Sequence, residues 1–139
     1  MLRADRFPRL ASEPHSEESP RTPVYNCIAW VMGDNSRWWW PRKGGYWPPN
    51  CQREETIEAF ASMIRSFGYA DCGSGDLEDR YEKIALYALG DTPTHAARQM
   101  PNGMWTSKIG QNIDIYHTIV GLEGPLYGQV VRHFRRALN

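Results

Sequence analysis

Tyr25-Asn26-Cys27-Ile28-Ala29-Trp30-Val31-Met32 is the stretch on which the reading of this chain turns. It follows a run punctuated by Pro8, Pro14, Pro20 and Pro23, and it is apolar on nearly every side. Asn26 has the short polar side chain that caps a helix, and Gly33-Asp34-Asn35-Ser36 supplies the stop. Residues 27–32 therefore read as a short buried helix with a cysteine at its head. Unpaired N–H groups and the positive end of the macrodipole at such a start favour thiolate over thiol. A thiolate needs a proton acceptor, and Thr94-His95-Ala96-Ala97-Arg98-Gln99 places a histidine on what reads as a strand. Cys27 and His95 are the minimal set for nucleophilic thiol chemistry.

Just beyond the helix, the segment from Arg37 to Pro49 carries four tryptophans and a tyrosine within ten residues, broken by proline and glycine. Such a segment is neither a regular helix nor a central strand. It reads as a loop whose indoles pack over the core, or as an aromatic wall beside a site, and the two are compatible. Trp38, Trp39, Trp40, Trp47 and, further on, Trp105 are the candidate contact residues. Arg37, Arg42 and Lys43 in the same loop would suit single-stranded nucleic acid. The charge balance argues against that partner: 16 basic and 16 acidic side chains cancel and leave no recruiting field.

Glu54 to Phe67 is the clearest amphipathic helix, with Ile57, Phe60, Met63, Ile64 and Phe67 on one stripe and Gly68 at its end. Tyr81 to Leu89 alternates as a strand. Thr94–Met100 and Met104–Ile109, joined by Pro101-Asn102-Gly103, form a hairpin in which His95, Ala97 and Gln99 point one way and Ala96 and Arg98 the other. Residues 71–79 read as a loop around Cys72, and 112–120 as a strand or loop bearing Asp114 and His117. Residues 121–124 read as a turn, and 127–138 as a closing helix or strand with Arg132, Arg135 and Arg136 on a solvated face. Residues 1–22 form an extended Pro-rich arm, and 23–139 a single domain, which suits the length.

Six tryptophans and a 41% hydrophobic fraction mark a globular chain. No apolar run approaches the ~20 residues that span a bilayer. The first residues lack the apolar core of a secretory signal, so a cytoplasmic location is expected, with a signal-independent export route if the target is a cell wall. Cys27, Cys51 and Cys72 are odd in number and form no C-x-x-C pair, which argues against a disulfide framework and a structural zinc site. No metal or cofactor is expected.

The order Cys27 then His95, the following Ser107-Lys108-Ile109-Gly110 segment and the later His117 together resemble the papain-like superfamily in its small bacterial form. The NlpC/P60- and CHAP-type cysteine peptidases and amidases are the comparison. The Tyr-Asn-Cys-Ile-Ala-Trp and Trp-Trp-Trp-Pro … Tyr-Trp-Pro stretches also resemble those of a bacterial family with no assigned activity. The resemblance spans residues 23 to about 128. It implies an α+β fold, with a nucleophile helix packed on an antiparallel sheet, and thiolate–imidazolium catalysis at an amide. In that scheme Cys27 attacks the acyl carbon and His95 returns the proton to the leaving amine, while the Cys27 N–H, helped by Asn26, binds the oxyanion. The orienting third residue stays open between Ser107 and Asp114, and His117 is the alternative partner for the thiol. The implied substrate is a peptide, protein or peptidoglycan-type amide. The alternative is an inactive binding module of the same fold that holds a peptide or glycan against the 37–49 loop. Neither reading specifies an oligomeric state.

Overall fold

The computed structural model describes residues 16–17, 25–108 and 114–138; for 16, 17, 114–116 and 120 the description is of backbone alone. In chain order the elements are β1 (Ser16–Glu17), α1 (Cys27–Val31), α2 (Ile57–Ser66), β2 (Ala70–Cys72), β3 (Tyr81–Leu89), β4 (Thr92–Gln99), β5 (Trp105–Lys108), β6 (Asp114–His117), α3 (Ile119–Leu122) and β7 (Gln129–Ala137). The chain is an α+β protein built on one seven-stranded sheet in the order β1-β6-β5-β4-β3-β7-β2, and every pairing is antiparallel.

The middle of that sheet follows from local sequence. β3 and β4 are joined by Gly90-Asp91 alone, with Leu89 opposite Thr92. Gly90 sits at φ +58, which a glycine adopts without steric cost and which matches the twist of a two-residue hairpin. β5 follows through the Pro101-Asn102-Gly103 turn and β6 completes the meander. β7 then returns along the other edge of β3, pairing from Tyr81 with Ala137 to Ala88 with Gln129. β3 is consequently flanked on both sides, and its residues from Lys83 to Ala88 are buried without interruption.

Side-chain alternation divides the core in two. On one face Ile84, Leu86, Ala96 and Phe134 pack against α1, α2 and the buried indoles of Trp39 and Trp47. On the other, Ala85, Tyr87, Ala97 and Trp105 pack with Leu122 of α3 and with Tyr127. α1 lies over β4 and β5. α2 is the expected amphipathic helix, begun three residues later than the sequence pattern suggests. The Thr56 hydroxyl caps it by accepting from the Ala59 N–H at 3.1 Å.

Several sequence expectations are corrected here. Residues 16–17 of the arm form a strand against β6, and the rest of the arm lies outside the described residues. The segment around Cys72 begins as β2 and residues 119–122 are helical, while the closing segment, open between helix and strand in the sequence, is a strand. Arg132, Arg135 and Arg136 are not simply solvated: they pair with Glu58, Glu78 and Glu82. Among the described residues no helix is long and apolar enough to cross a membrane.

Candidate functional site

Asn26 organises the head of α1. Its Oδ1 accepts from the N–H groups of Ala29 (3.2 Å) and Trp39 (3.1 Å), and its Nδ2 donates to the Trp39 carbonyl at 2.7 Å. One buried side chain thus caps the helix and fastens the tryptophan loop to it. These three bonds use Oδ1 twice and one of the two Nδ2 N–H groups, so Asn26 caps α1 and also lines the open space beside Cys27.

Cys27 follows directly and is 5% exposed. Burial pushes its thiol from 9.0 up to about 11, against the opposing effect of the Ala96, Ile28 and Cys27 N–H groups and of the charge on Lys108. The sulfur is therefore a thiol at neutral pH. Lys108 is itself fully buried, with its Nζ 5.3 Å from the centre of the Tyr25 ring. The pairing of Arg98 with Thr106 and Gln99 with Trp105, carried two residues along, sets Lys108 beside Ala96 on the α1 face.

The same alternation places His95 elsewhere. His95 pairs with Tyr87 in register and shares its face with Ala97, whereas Ala96 faces α1. Its imidazole lies parallel to the Tyr127 ring at 4.0 Å and edge-on to Tyr87 at 5.4 Å. Neither ring nitrogen has a hydrogen-bond partner, and burial, with the nearby His117, drives the pKa well below 6.5. The expected Cys27–His95 pair is not assembled. The sequence pattern shows that His95 and Ala97 share a side, but α1 packs on the other one.

Ser107 and His117 come together instead, again on the His95 face. The Ser107 Oγ is 2.5 Å from His117 Nε2, and His117 Nδ1 is 2.7 Å from the Thr118 carbonyl. A carbonyl only accepts, so Nδ1 carries the proton, and Nε2 accepts the serine hydroxyl. Burial lowers His117 from 6.5 to about 4, opposed by the Thr118 bond, and this keeps the ring neutral. Both side chains are fully buried, so the pair locks β5 to β6 and faces no open space. Neither Ser107 nor His117 is placed to serve Cys27. The backbone of Asp114 pairs with Lys108, and its side chain lies outside the described residues.

The open space beside Cys27 is a cleft of about 630 Å³. Asn26 and Cys27 from the head of α1, Thr94 of β4 and Tyr127 line one side; Trp38, Trp40 and the Arg42–Gly45 turn line the other. Trp40 is fixed from behind: its Nε1 donates to Glu55 at 2.9 Å and its ring meets Phe60 at 5.1 Å. Arg42 also bonds Glu55, and both donors hold that carboxyl below the usual range. Thr94 bonds the Tyr127 carbonyl at 2.5 Å and ties the two parts of its wall together. Of the expected contact residues, then, Trp38 and Trp40 line the cleft. Trp39 (4% exposed) and Trp47 (2%) belong to the core, and Trp105 is buried on the opposite face. Sequence reasoning missed Thr94 and Tyr127, which reach the cleft only through tertiary packing. Arg42 and Lys43 were visible as loop cations but not as part of this wall.

Residues 16–135 match the model of a family described as a domain of unknown function, DUF7689. The chain belongs to that family. The match takes in both faces of the DUF7689 sheet, α1 and the tryptophan loop, so the cleft lies wholly within the family's domain. No curated protein matches the chain, and no solved structure does.

Proposed function

We propose that this domain is a binding module for a peptide, held between the Trp38–Gly45 segment and the heads of α1 and β4. The observation that carries this reading is the cleft itself: about 630 Å³ walled by two indoles and a phenol ring, with Arg42 and Lys43 at its edge. A peptide fits this lining better than a glycan. Sugar recognition couples aromatic stacking to side-chain amides and carboxylates, and here the Asn26 Oδ1 already accepts two bonds and, among the described residues, no carboxylate lines the wall. Aromatic plates with cations beside them suit apolar and acidic side chains. The scaffold, a cysteine-headed helix over an antiparallel meander in the order Cys then His, is consistent with a papain-like fold that has kept its cleft.

The test is tryptophan fluorescence during titration with pooled hexapeptides that combine aromatic and acidic residues. Saturable quenching, lost in Trp38→Ala and weakened in Lys43→Glu, is the expected result. A flat signal in the wild type rejects the reading.

One observation favours the hydrolase or acyl transferase alternative. Cys27 stands in the wall of this cleft, with three backbone N–H groups acting on its sulfur. That reading needs His95 to leave its stack with Tyr127 and cross to the α1 face. The pH dependence of iodoacetamide alkylation at Cys27 separates the two. A midpoint near 11, indifferent to His95→Ala, fits the binding module. A midpoint well below the ordinary ~8.5, lost in His95→Ala, installs the enzyme.

A further inference from the structure

Cys72 ends β2 directly opposite His133 of β7. Opposed residues of an antiparallel pair share a face, with Cβ atoms about 4.5–5.5 Å apart. A thiol and an imidazole therefore stand side by side, on the face that also carries Ala85, the partner of His133 on β3. Both side chains are partly exposed. Among the described residues the imidazole makes no hydrogen bond, and the thiol has a weak one, from Sγ to the Ser74 carbonyl at 3.5 Å.

The loop after Cys72 is built around this pair. Lys83 Nζ donates to the carbonyls of Ser74 (3.0 Å) and Asp76 (2.6 Å), and Gln99 Nε2 to that of Gly75 at 2.7 Å. These bonds hold Gly75 against the imidazole: a Cβ added there would stand 3.0 Å from His133 Nε2 and 3.0 Å from the Trp105 ring. They also bring two charges to the site. The Lys83 ammonium meets the same Ser74 carbonyl as the Cys72 sulfur, and the Asp76 carboxylate acts on His133. Burial and then Lys83 lower the pKa of His133 below 6.5, opposed by Asp76, so the ring is neutral at pH 7 and can take a proton. Access is open as well. A Cβ at Gly73 would meet nothing within 4 Å, and β2 is the last strand of the sheet.

We propose that Cys72 is a thiol–disulfide exchange site, with His133 as its proton acceptor and a low-molecular-weight disulfide as its co-reactant. His133 takes the Sγ proton, and the Cys72 sulfur attacks one sulfur of the disulfide. The S–S bond breaks, and the departing sulfur leaves as a thiolate that takes the proton back from the imidazolium. Cys72 ends as a mixed disulfide, and the released half of the co-reactant ends as a thiol. While the Cys72 sulfur carries charge it faces the Lys83 ammonium, the setting in which thiols react. Among the described residues no three histidine, cysteine or carboxylate groups converge as metal ligands, which leaves the pair to proton and sulfur chemistry. None of these residues lines the tryptophan cleft, so the site stands whether or not that cleft binds peptide.

The experiment exposes the full chain to glutathione disulfide and, separately, to bis(2-hydroxyethyl) disulfide, and follows all three cysteines by site-resolved mass spectrometry. Cys72 should form its mixed disulfide at least about tenfold faster than Cys27 or Cys51. Because the proton stays within the pair, the Cys72 rate should change less than about threefold between about pH 6.5 and 7.5. In His133→Gln it should be slower at the lower pH and climb about tenfold across that unit, as for an isolated thiol with a pKa near ~8.5. Asp76→Asn, at an exposed position, should slow Cys72 by about threefold with melting temperature unchanged. A faster reaction with glutathione disulfide identifies a peptidic partner, whose main chain can pair with the outer edge of β2. An equal or slower one identifies the disulfide alone as what is recognised. Cys27 or Cys51 reacting as fast as Cys72, a wild-type rate that climbs about tenfold per pH unit, or a Cys72 rate indifferent to both His133→Gln and Asp76→Asn would each overturn the proposal.

Discussion

Cys27 and His117 are both buried and both neutral, and they couple folding to pH in opposite directions. An acid whose pKa is raised on folding stabilises the native state fully below its unfolded value and loses that contribution as pH rises. For Cys27 the window runs from pH 9.0 to about 11, and the contribution is about 2–3 kcal/mol. The difference in unfolding free energy between wild type and Cys27→Ala should shrink by that amount across the window, as read from urea midpoints. A base whose pKa is depressed on folding behaves the other way. The His117 contribution is present above pH 6.5 and is lost as pH falls towards about 4, a loss of about 3 kcal/mol. The acid limb of the stability profile should flatten in His117→Leu. A limb of unchanged steepness would remove His117 as its cause. His95, lowered in the same sense, adds to the wild-type slope.

At the scale of elements, the 37–49 loop shows that one composition can serve two roles. Trp47 is buried against Phe60 at 5.0 Å, and its Nε1 donates to the Gln52 carbonyl at 2.9 Å. Trp38 is only half-buried and faces the cleft. Trp47→Ala should cost about 3–5 kcal/mol through the cavity it leaves. Trp38→Ala should stay within about 0.5 kcal/mol of wild type while peptide quenching disappears. Equal stability losses in chemical denaturation would mean the loop is all core. The sequence made the loop legible but not this division, because nothing local distinguishes an indole over Phe60 from one over solvent. α1 with its Asn26 cap, β3 and the His95-Ala97-Gln99 alternation were readable for the converse reason: each depends on contacts a few residues apart. Which face of β4 meets α1 depends on where a distant helix docks, and that undid the Cys27–His95 pair. β2 and α3 are too short to leave a periodic signal.

At the scale of the whole molecule, the fold depends on the last strand entering the middle of the sheet. β7 lies between β3 and β2, so β2 joins the sheet only through a strand that comes more than fifty residues later. No pattern local to residues 70–72 announces that pairing. The entry point is Gly128, at φ +74, where an added Cβ would stand 2.0 Å from the Ala88 carbonyl oxygen and 2.7 Å from its carbon. The nearest atoms are all backbone at the end of β3, so no side chain can give way. Gly128→Ala must therefore either move β7 off the end of β3 or displace Tyr127 beside it, which stacks on His95 and lines the cleft. The expected cost is at least about 3 kcal/mol, combining a disfavoured φ with a backbone clash. Hydrogen exchange gives the more discriminating reading. β3, paired on both edges, should exchange its Ile84–Tyr87 amides only through global unfolding in the wild type. In Gly128→Ala, protection should fall first at the Ala88–Gln129 end and at the β4 segment around His95, with the β3–β7 pairing near Tyr81 keeping its wild-type order of exchange. Uniform loss along β3 would show instead that β7 docks as one rigid unit and that the Gly128 corner sets stability without steering the site.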